Sequence, residues 1–140
     1  MGPRIRPAGE ADRDGLAELA ATLATSYPPS RSAFDATFDA VLVDDRAALL
    51  VAESTVDILG YVLGSYHPTF YANGPVAVVE EILVREHCRG QGVGRALMSD
   101  FEEWAAGRGC RLVTLATRRA APFYLALGYT ETAASLRRAL

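Results

Sequence analysis

Glycine stands at alternate positions in Arg89-Gly90-Gln91-Gly92-Val93-Gly94-Arg95, between an apolar run ending at Val84 and an apolar-periodic segment beginning at Val93. Three alternating positions without side chains let a ligand approach the backbone closely. A helix starting here offers unpaired N–H groups and the positive end of its dipole, a combination that favours phosphate. Arg89 and Arg95 add fixed positive charge on either side. These residue types at this spacing make a site for a phosphorylated cofactor.

Spacing narrows the choice. A triphosphate-binding loop ends in Gly-Lys-Ser or Gly-Lys-Thr, but Gly94 is followed by Arg95-Ala96, which supplies neither the lysine nor the magnesium-binding hydroxyl. The dinucleotide fingerprint G-x-G-x-x-G would need its third glycine at Arg95 or Leu97 and fails. Its acidic residue is missing too, because the next apolar run closes with Thr117-Arg118-Arg119. What fits is Arg89-x-x-Gly92-x-Gly94 behind a strand carrying Glu80-Glu81. That pattern resembles the acetyl-CoA loop of the GNAT superfamily of N-acetyltransferases; a glycine-rich turn without a ligand is the alternative.

A second segment, Ala120-Ala121-Pro122-Phe123-Tyr124-Leu125-Ala126-Leu127-Gly128-Tyr129, is similar to the family's alanine-rich helix at Ala120, Phe123, Tyr124, Gly128 and Tyr129. The resemblance implies that Tyr124 is the general acid that protonates the departing thiolate of CoA. A phenol with its ordinary pKa of about 10 keeps its proton at neutral pH and can hand it on. Judged by residue type alone, Phe123 and Tyr124 fit the packing face of a short helix equally well. The chain departs from the family at Thr117, where many members carry an Asn that holds the pantetheine arm. Arg118 and Arg119 read either as phosphate contacts or as caps on the strand end.

The resemblance also implies that the sheet opens at Ile82-Leu83-Val84, where freed main-chain groups pair with the pantetheine arm as an added strand would. The expected cofactor-binding set is therefore Ile82, Leu83, Val84, Arg89, Gly90, Gln91, Gly92, Val93, Gly94, Arg95 and Thr117. For the general base, Glu80 aligns with the family's glutamate. Strand alternation puts Glu80 on the face of Val76, Val78, Ile82 and Val84, and Glu81 on the other. Such apolar neighbours would desolvate the Glu80 carboxylate and raise its pKa, while a bulge would exchange the two faces. Glu80 is the first choice and Glu81 the second, with a structural ion pair or anchor at the sheet edge as the alternative role.

The acceptor is expected beside residues 25–31 and 66–74, where Tyr27, Tyr66, His67 and Tyr71 could wall an amine pocket. Loop packing or a homodimer contact is the other reading of these aromatics. His67 has no metal-ligand partners in sequence, and no metal is expected.

The elements that must position these residues follow from periodicity. Ile5 and its neighbours form a first strand closed by Pro7. Leu16, Leu19, Ala20 and Leu23 make one face of a helix over Glu10 to Ser26. Ser30 or Ser32 caps a second helix that buries Phe34, Phe38, Val41 and Leu42. Strands at Ala47–Ala52 and Ile58–Tyr66 form a hairpin, and Val76–Val84 is a third long strand. Val93, Leu97, Phe101 and Trp104 make the stripe of the helix after the loop. A strand at Leu112–Ala116, a short helix at Ala120–Leu127 and a last strand from Tyr129 complete the order β-α-α-β-β-β-α-β-α-β. This is a mixed α/β fold, expected to be a GNAT fold with a mostly antiparallel sheet of about six strands and helices on both faces.

The chain has 140 residues, is 50% hydrophobic and 22% charged, and carries two cysteines, a balance that suits one globular domain over 1–140. No apolar run reaches the ~20 residues of a membrane span, and the N-terminus has no signal-peptide core. Two unclustered cysteines fit a reduced, cytoplasmic protein. A net charge of −3 argues against nucleic acid and mildly favours a cationic acceptor. The expected activity is transfer of acetyl from acetyl-CoA to a primary amine of a small molecule. The alternatives are a protein N-terminal or lysine acetyltransferase and a non-catalytic acyl-CoA sensor.

Overall fold

Alternating apolar residues in the first half of the chain build antiparallel strands, and the glycine loop with its helix forces the only parallel pair among the described residues. The computed structural model describes residues 2–23, 27–117 and 120–140. Its sheet has five strands in spatial order β1 (Arg4–Pro7), β2 (Ala47–Glu53), β3 (Ile58–Thr69), β4 (Gly74–Val84) and β5 (Val113–Leu115). The first four pair antiparallel in sequence. β4 and β5 run parallel, joined by the long helix after the loop, as a crossover connection requires.

Helices cover both faces. α1 (Arg13–Ala21) and α2 (Arg31–Leu42) lie on one side, packing Leu16, Leu19 and Phe38 against Val51 and Tyr61. On the other side, α3 (Val93–Gly107) buries Val93, Leu97, Met98, Phe101 and Ala105 against Ala48, Leu50, Val62, Ala77 and Val79. A fully buried Leu or Phe contributes roughly 1.5–3 kcal/mol, so this helix is held mainly by its apolar stripe. Gly64 makes the approach possible: a Cβ there would lie 2.4 Å from the Phe101 ring. α4 (Ala121–Ala126) follows β5, with proline in its first turn and Gly128 at φ 98° closing it.

Several sequence expectations change. The first helix is shorter than Glu10 to Ser26: a 3-10 turn over Glu10–Asp12 precedes α1, which ends at Ala21. The cause is Asp12, whose buried carboxylate accepts from the Gly9 N–H and from both terminal nitrogens of Arg6, each at 2.8 Å. Ser30 is the cap of α2, its hydroxyl accepting from the Ala33 N–H at 3.2 Å. Leu42, expected in the core, is exposed because α2 ends there and turns out of its groove. Trp104 is only half-buried and packs with tilted rings against Phe101 and Tyr66, while Met98 takes the core position.

The expected sixth strand does not form: residues 129–140 carry no regular structure, and the sheet ends at β5. β5 is three residues long and leaves little edge to pair with. Beyond Tyr129 the chain offers Thr-Glu-Thr-Ala-Ala-Ser, with no alternating apolar face to bury.

Candidate active site

β4 carries the site because its backbone is irregular where it leaves β5. It pairs with β5 only through Ala77, Val78 and Val79, opposite Val113, Thr114 and Leu115. From Glu80 to Val84 the edge on that side has no strand beside it among the described residues, while β3 pairs the other edge up to Val84. The sheet thus opens at the position expected from Ile82, Leu83 and Val84.

The same stretch holds a bulge. Gly64 pairs with Val79 and Leu63 with Glu81, so Glu80 is the unpaired extra residue. It corrects the sequence-based faces. Ala77 and Val79 pack in the cluster under α3, and Ile82 and Val84 pack against that same cluster. Odd positions before the bulge and even positions after it therefore share a face. Glu80 does not sit in an apolar row with Val76, Val78, Ile82 and Val84, and its side chain is exposed rather than desolvated.

Glu81 falls on the α1–α2 face with Tyr61, Leu63 and Leu83. The Tyr61 hydroxyl donates to Glu81 Oε1 at 2.8 Å. Tyr61 is buried, and desolvation, reinforced by the neighbouring Glu81 charge, pushes its phenol far above the ordinary tyrosine range. Sequence reasoning missed Tyr61. The available signal was the hairpin register counted back from Asn73-Gly74, which brings Tyr61 beside the end of β4.

Tyr124 lies across the opening on α4. Its ring meets Phe123 edge-on at 5.0 Å and Tyr129 at 6.0 Å. The Tyr129 hydroxyl donates to Glu102 Oε2 at 2.6 Å, which ties the end of α4 to α3. Burial raises the Tyr124 pKa above its ordinary value, so the phenol stays protonated. The Thr117 hydroxyl accepts from the Ala120 N–H at 3.1 Å, at the residue before α4. Arg118 and Arg119 lie outside the described residues, as do Thr25 and Ser26.

The glycine loop divides its labour. Gly90 and Gly92 have φ of 78° and 85°, backbone that other residues rarely adopt. Gly92 precedes α3, whose first turn has no side-chain cap, so its N–H groups are directed outward for an acceptor. Gly94 is inside the helix and serves packing: a Cβ there would lie 3.1 Å from the Phe123 ring. Arg89 Nε donates to the Val84 carbonyl at 3.2 Å and Gln91 Nε2 to the His87 carbonyl at 3.3 Å, bracing the loop on the end of β4. Val93 is buried in the α3 core and contributes its backbone, while Arg95 sits on the first turn of α3.

A cavity of about 690 Å³ joins the carboxylates of β4 to Tyr124 and Thr117. Glu80, Glu81, Ile82, Thr117 and Tyr124 line one end, and side chains of α1, α2, β2 and β3 line the other. Of the expected acceptor aromatics, Tyr27, Tyr66, His67 and Tyr71 do not line it. Tyr27 borders a separate surface hollow, Tyr66 packs on Trp104, and Tyr71 is exposed at the β3–β4 turn.

The structure thus combines an opened sheet edge, an uncapped helix turn behind left-handed glycines, and a cavity lined by Tyr124, Glu80 and Glu81. The chain belongs to the acetyltransferase (GNAT) family, which it matches over residues 16–129. It is 32% identical to glucosamine 6-phosphate N-acetyltransferase 1 of Oryza sativa subsp. japonica, covering 91% of this chain and 81% of that protein. It is 36% identical to aminoglycoside N(6')-acetyltransferase type 1 of Klebsiella aerogenes, over 62% of this chain and 61% of that one. Among solved structures, a transcriptional regulator from Bacillus halodurans C-125 superposes with a TM-score of 0.87 at 26% identity, covering 99% of both chains.

Proposed function

We propose that the protein transfers the acetyl group of acetyl-CoA to a primary amine of a small molecule by direct attack within a ternary complex. The observation that carries this reading is the continuous cavity that brings Tyr124 and Thr117 together with Glu80 and Glu81 across the open edge of β4. The residues fit the co-substrate. The first turn of α3, with Gly90, Gly92, Arg89 and Arg95, suits its pyrophosphate, and the free edge at Ile82–Val84 suits its pantetheine arm. Thr117 supplies a hydroxyl beside that arm.

In the reaction, the amine nitrogen attacks the thioester carbonyl carbon, the C–N bond forms and the C–S bond breaks. Glu81, held by Tyr61, is the favoured base for the amine proton, with Glu80 second. Tyr124 gives its proton to the departing sulfur, and both groups re-equilibrate with solvent. The products are the acetamide and the free CoA thiol. The rice and Klebsiella relatives are named as N-acetyltransferases of glucosamine 6-phosphate and of aminoglycosides, which supports an amine acceptor. The free thiols of Cys88 and Cys110 support a reducing, cytoplasmic setting. No helix among the described residues is long and apolar enough to cross a membrane.

The second reading, an acyl-CoA sensor, is favoured by the likeness to the protein described as a transcriptional regulator. Thiol release from acetyl-CoA across a panel of amines, with Tyr124→Phe beside the wild type, separates the two. Amine-dependent release that falls in the variant supports the enzyme. Tight acetyl-CoA binding with no amine-dependent release supports the sensor.

A further inference from the structure

We infer that the acceptor is a primary monoamine with an apolar aryl or alkyl body, neither a phosphorylated amino sugar nor a polycation. The inference rests on the acetyltransferase reading and extends it to the substrate. Beyond the end occupied by Tyr124 and Thr117, the cavity runs under Leu23, Phe34, Phe38, Leu49 and Leu63. The only charged residues among the described ones that line it are Glu80 and Glu81, neighbours in sequence at the end shared with Tyr124 and Thr117. One ammonium therefore finds two carboxylates at the place where acetyl is delivered, and the body attached to it meets a mainly apolar lining in which Thr37 and Tyr61 are the polar side chains on the α2 and β3 walls.

Among the described residues, the lining offers no guanidinium or ammonium. A phosphate substituent requires a guanidinium or a nest of N–H groups, and the described arginines behind the α1–α2 wall, Arg13 and Arg31, are already engaged. Arg13 stacks on Phe38 at 4.7 Å while bound to Glu10, Asp35 and Asp39. Arg31 lies 5.9 Å from the Phe34 ring and pairs with Asp14 and Asp35. Both stand as backing for aromatic walls, with their charge neutralised away from the cavity. An aminoglycoside or polyamine would need further carboxylates along its length, and the α1–α2 wall offers aliphatic and aromatic carbon instead. Burying each added methylene there is worth roughly a fourfold gain in affinity.

The test is thiol release from acetyl-CoA with alkylamines from propyl to hexyl, phenethylamine, glucosamine 6-phosphate and an aminoglycoside, with acetyl-CoA binding titrated separately without amine. The expected result is kcat/KM rising about threefold per methylene, with phenethylamine at least tenfold above glucosamine 6-phosphate and the aminoglycoside. In Leu23→Arg, which puts a cation at the half-buried rim, the KM for phenethylamine should rise about tenfold with the KM for acetyl-CoA unchanged. A flat alkyl series, or preference for either sugar, overturns the inference while leaving the acetyltransferase reading intact. Failure to bind acetyl-CoA in the amine-free titration overturns that reading, and this one with it.

Discussion

Tyr61 reaches diagonally across β3 and β4 to donate a 2.8 Å hydrogen bond to Glu81, one residue after the bulged Glu80. The bond fixes one of two adjacent carboxylates while its neighbour stays in solvent. If Glu81 takes the amine proton, Glu81→Gln should lower kcat about a hundredfold and Glu80→Gln much less. Tyr61→Phe should lower kcat up to about tenfold through loss of positioning, with the KM for acetyl-CoA unchanged. Steady-state kinetics of the three variants decides the assignment, and an equal or larger loss in Glu80→Gln would reverse it.

Tyr124 has its pKa raised by burial, so its neutral form persists through alkaline pH. A general acid of raised pKa loses its proton later, and the alkaline limb of kcat should therefore lie above about pH 10. Tyr124→Phe should lower kcat about a hundredfold and leave acetyl-CoA affinity near the wild-type value. A pH–rate profile of the wild type together with kinetics of the variant tests both statements.

The loop glycines should separate by role. Gly92→Ala forces a side chain onto a φ of 85°, costing about 1–2 kcal/mol, and should weaken acetyl-CoA binding at least tenfold. Gly94→Ala meets the edge of the Phe123 ring at 3.1 Å, and Phe123 is partly exposed and can yield. That variant should cost under about 1 kcal/mol and act on kcat, because the displaced ring sits against Tyr124. Calorimetric binding and thermal unfolding distinguish the pair.

Asp12 predicts acid sensitivity. Its hydrogen bonds to Arg6, aided by the Gly9 N–H, hold the carboxyl below the usual aspartate range. A lowered native pKa contributes stability that is present above about pH 4 and is lost as pH falls through the native value. Urea unfolding should show stability declining below pH 4. Asp12→Asn should cost about 2 kcal/mol at pH 7 and flatten that decline.

The glycine loop, the order of the nine strands and helices through α4, and the placing of Tyr124 on a short helix could be read from residue types and periods, because each rests on local signals. The carboxylate faces could not. Alternation counts every residue, and one bulged residue at Glu80 reverses parity for the rest of β4. The last strand was misread from Tyr129, whose aromatic ring packs on Tyr124 and whose hydroxyl bonds to Glu102 rather than opening a strand. The cavity under α1 and α2 was not legible either, because it is lined by the inward aliphatic faces of those helices. Those faces read as ordinary core until the cavity between helix and sheet is seen.

The open edge of β4 has a second consequence, for solubility. A row of unpaired backbone groups inside a sheet is a template for a strand from another copy of the chain. Here the row begins with two exposed carboxylates, Glu80 and Glu81. A second copy adding its own β4 would bring four negative charges together, and that repulsion disfavours edge-to-edge association. Neutralising both glutamates should thus cost more than activity: it removes a gatekeeper, and the doubly substituted protein should aggregate where either single variant stays dispersed.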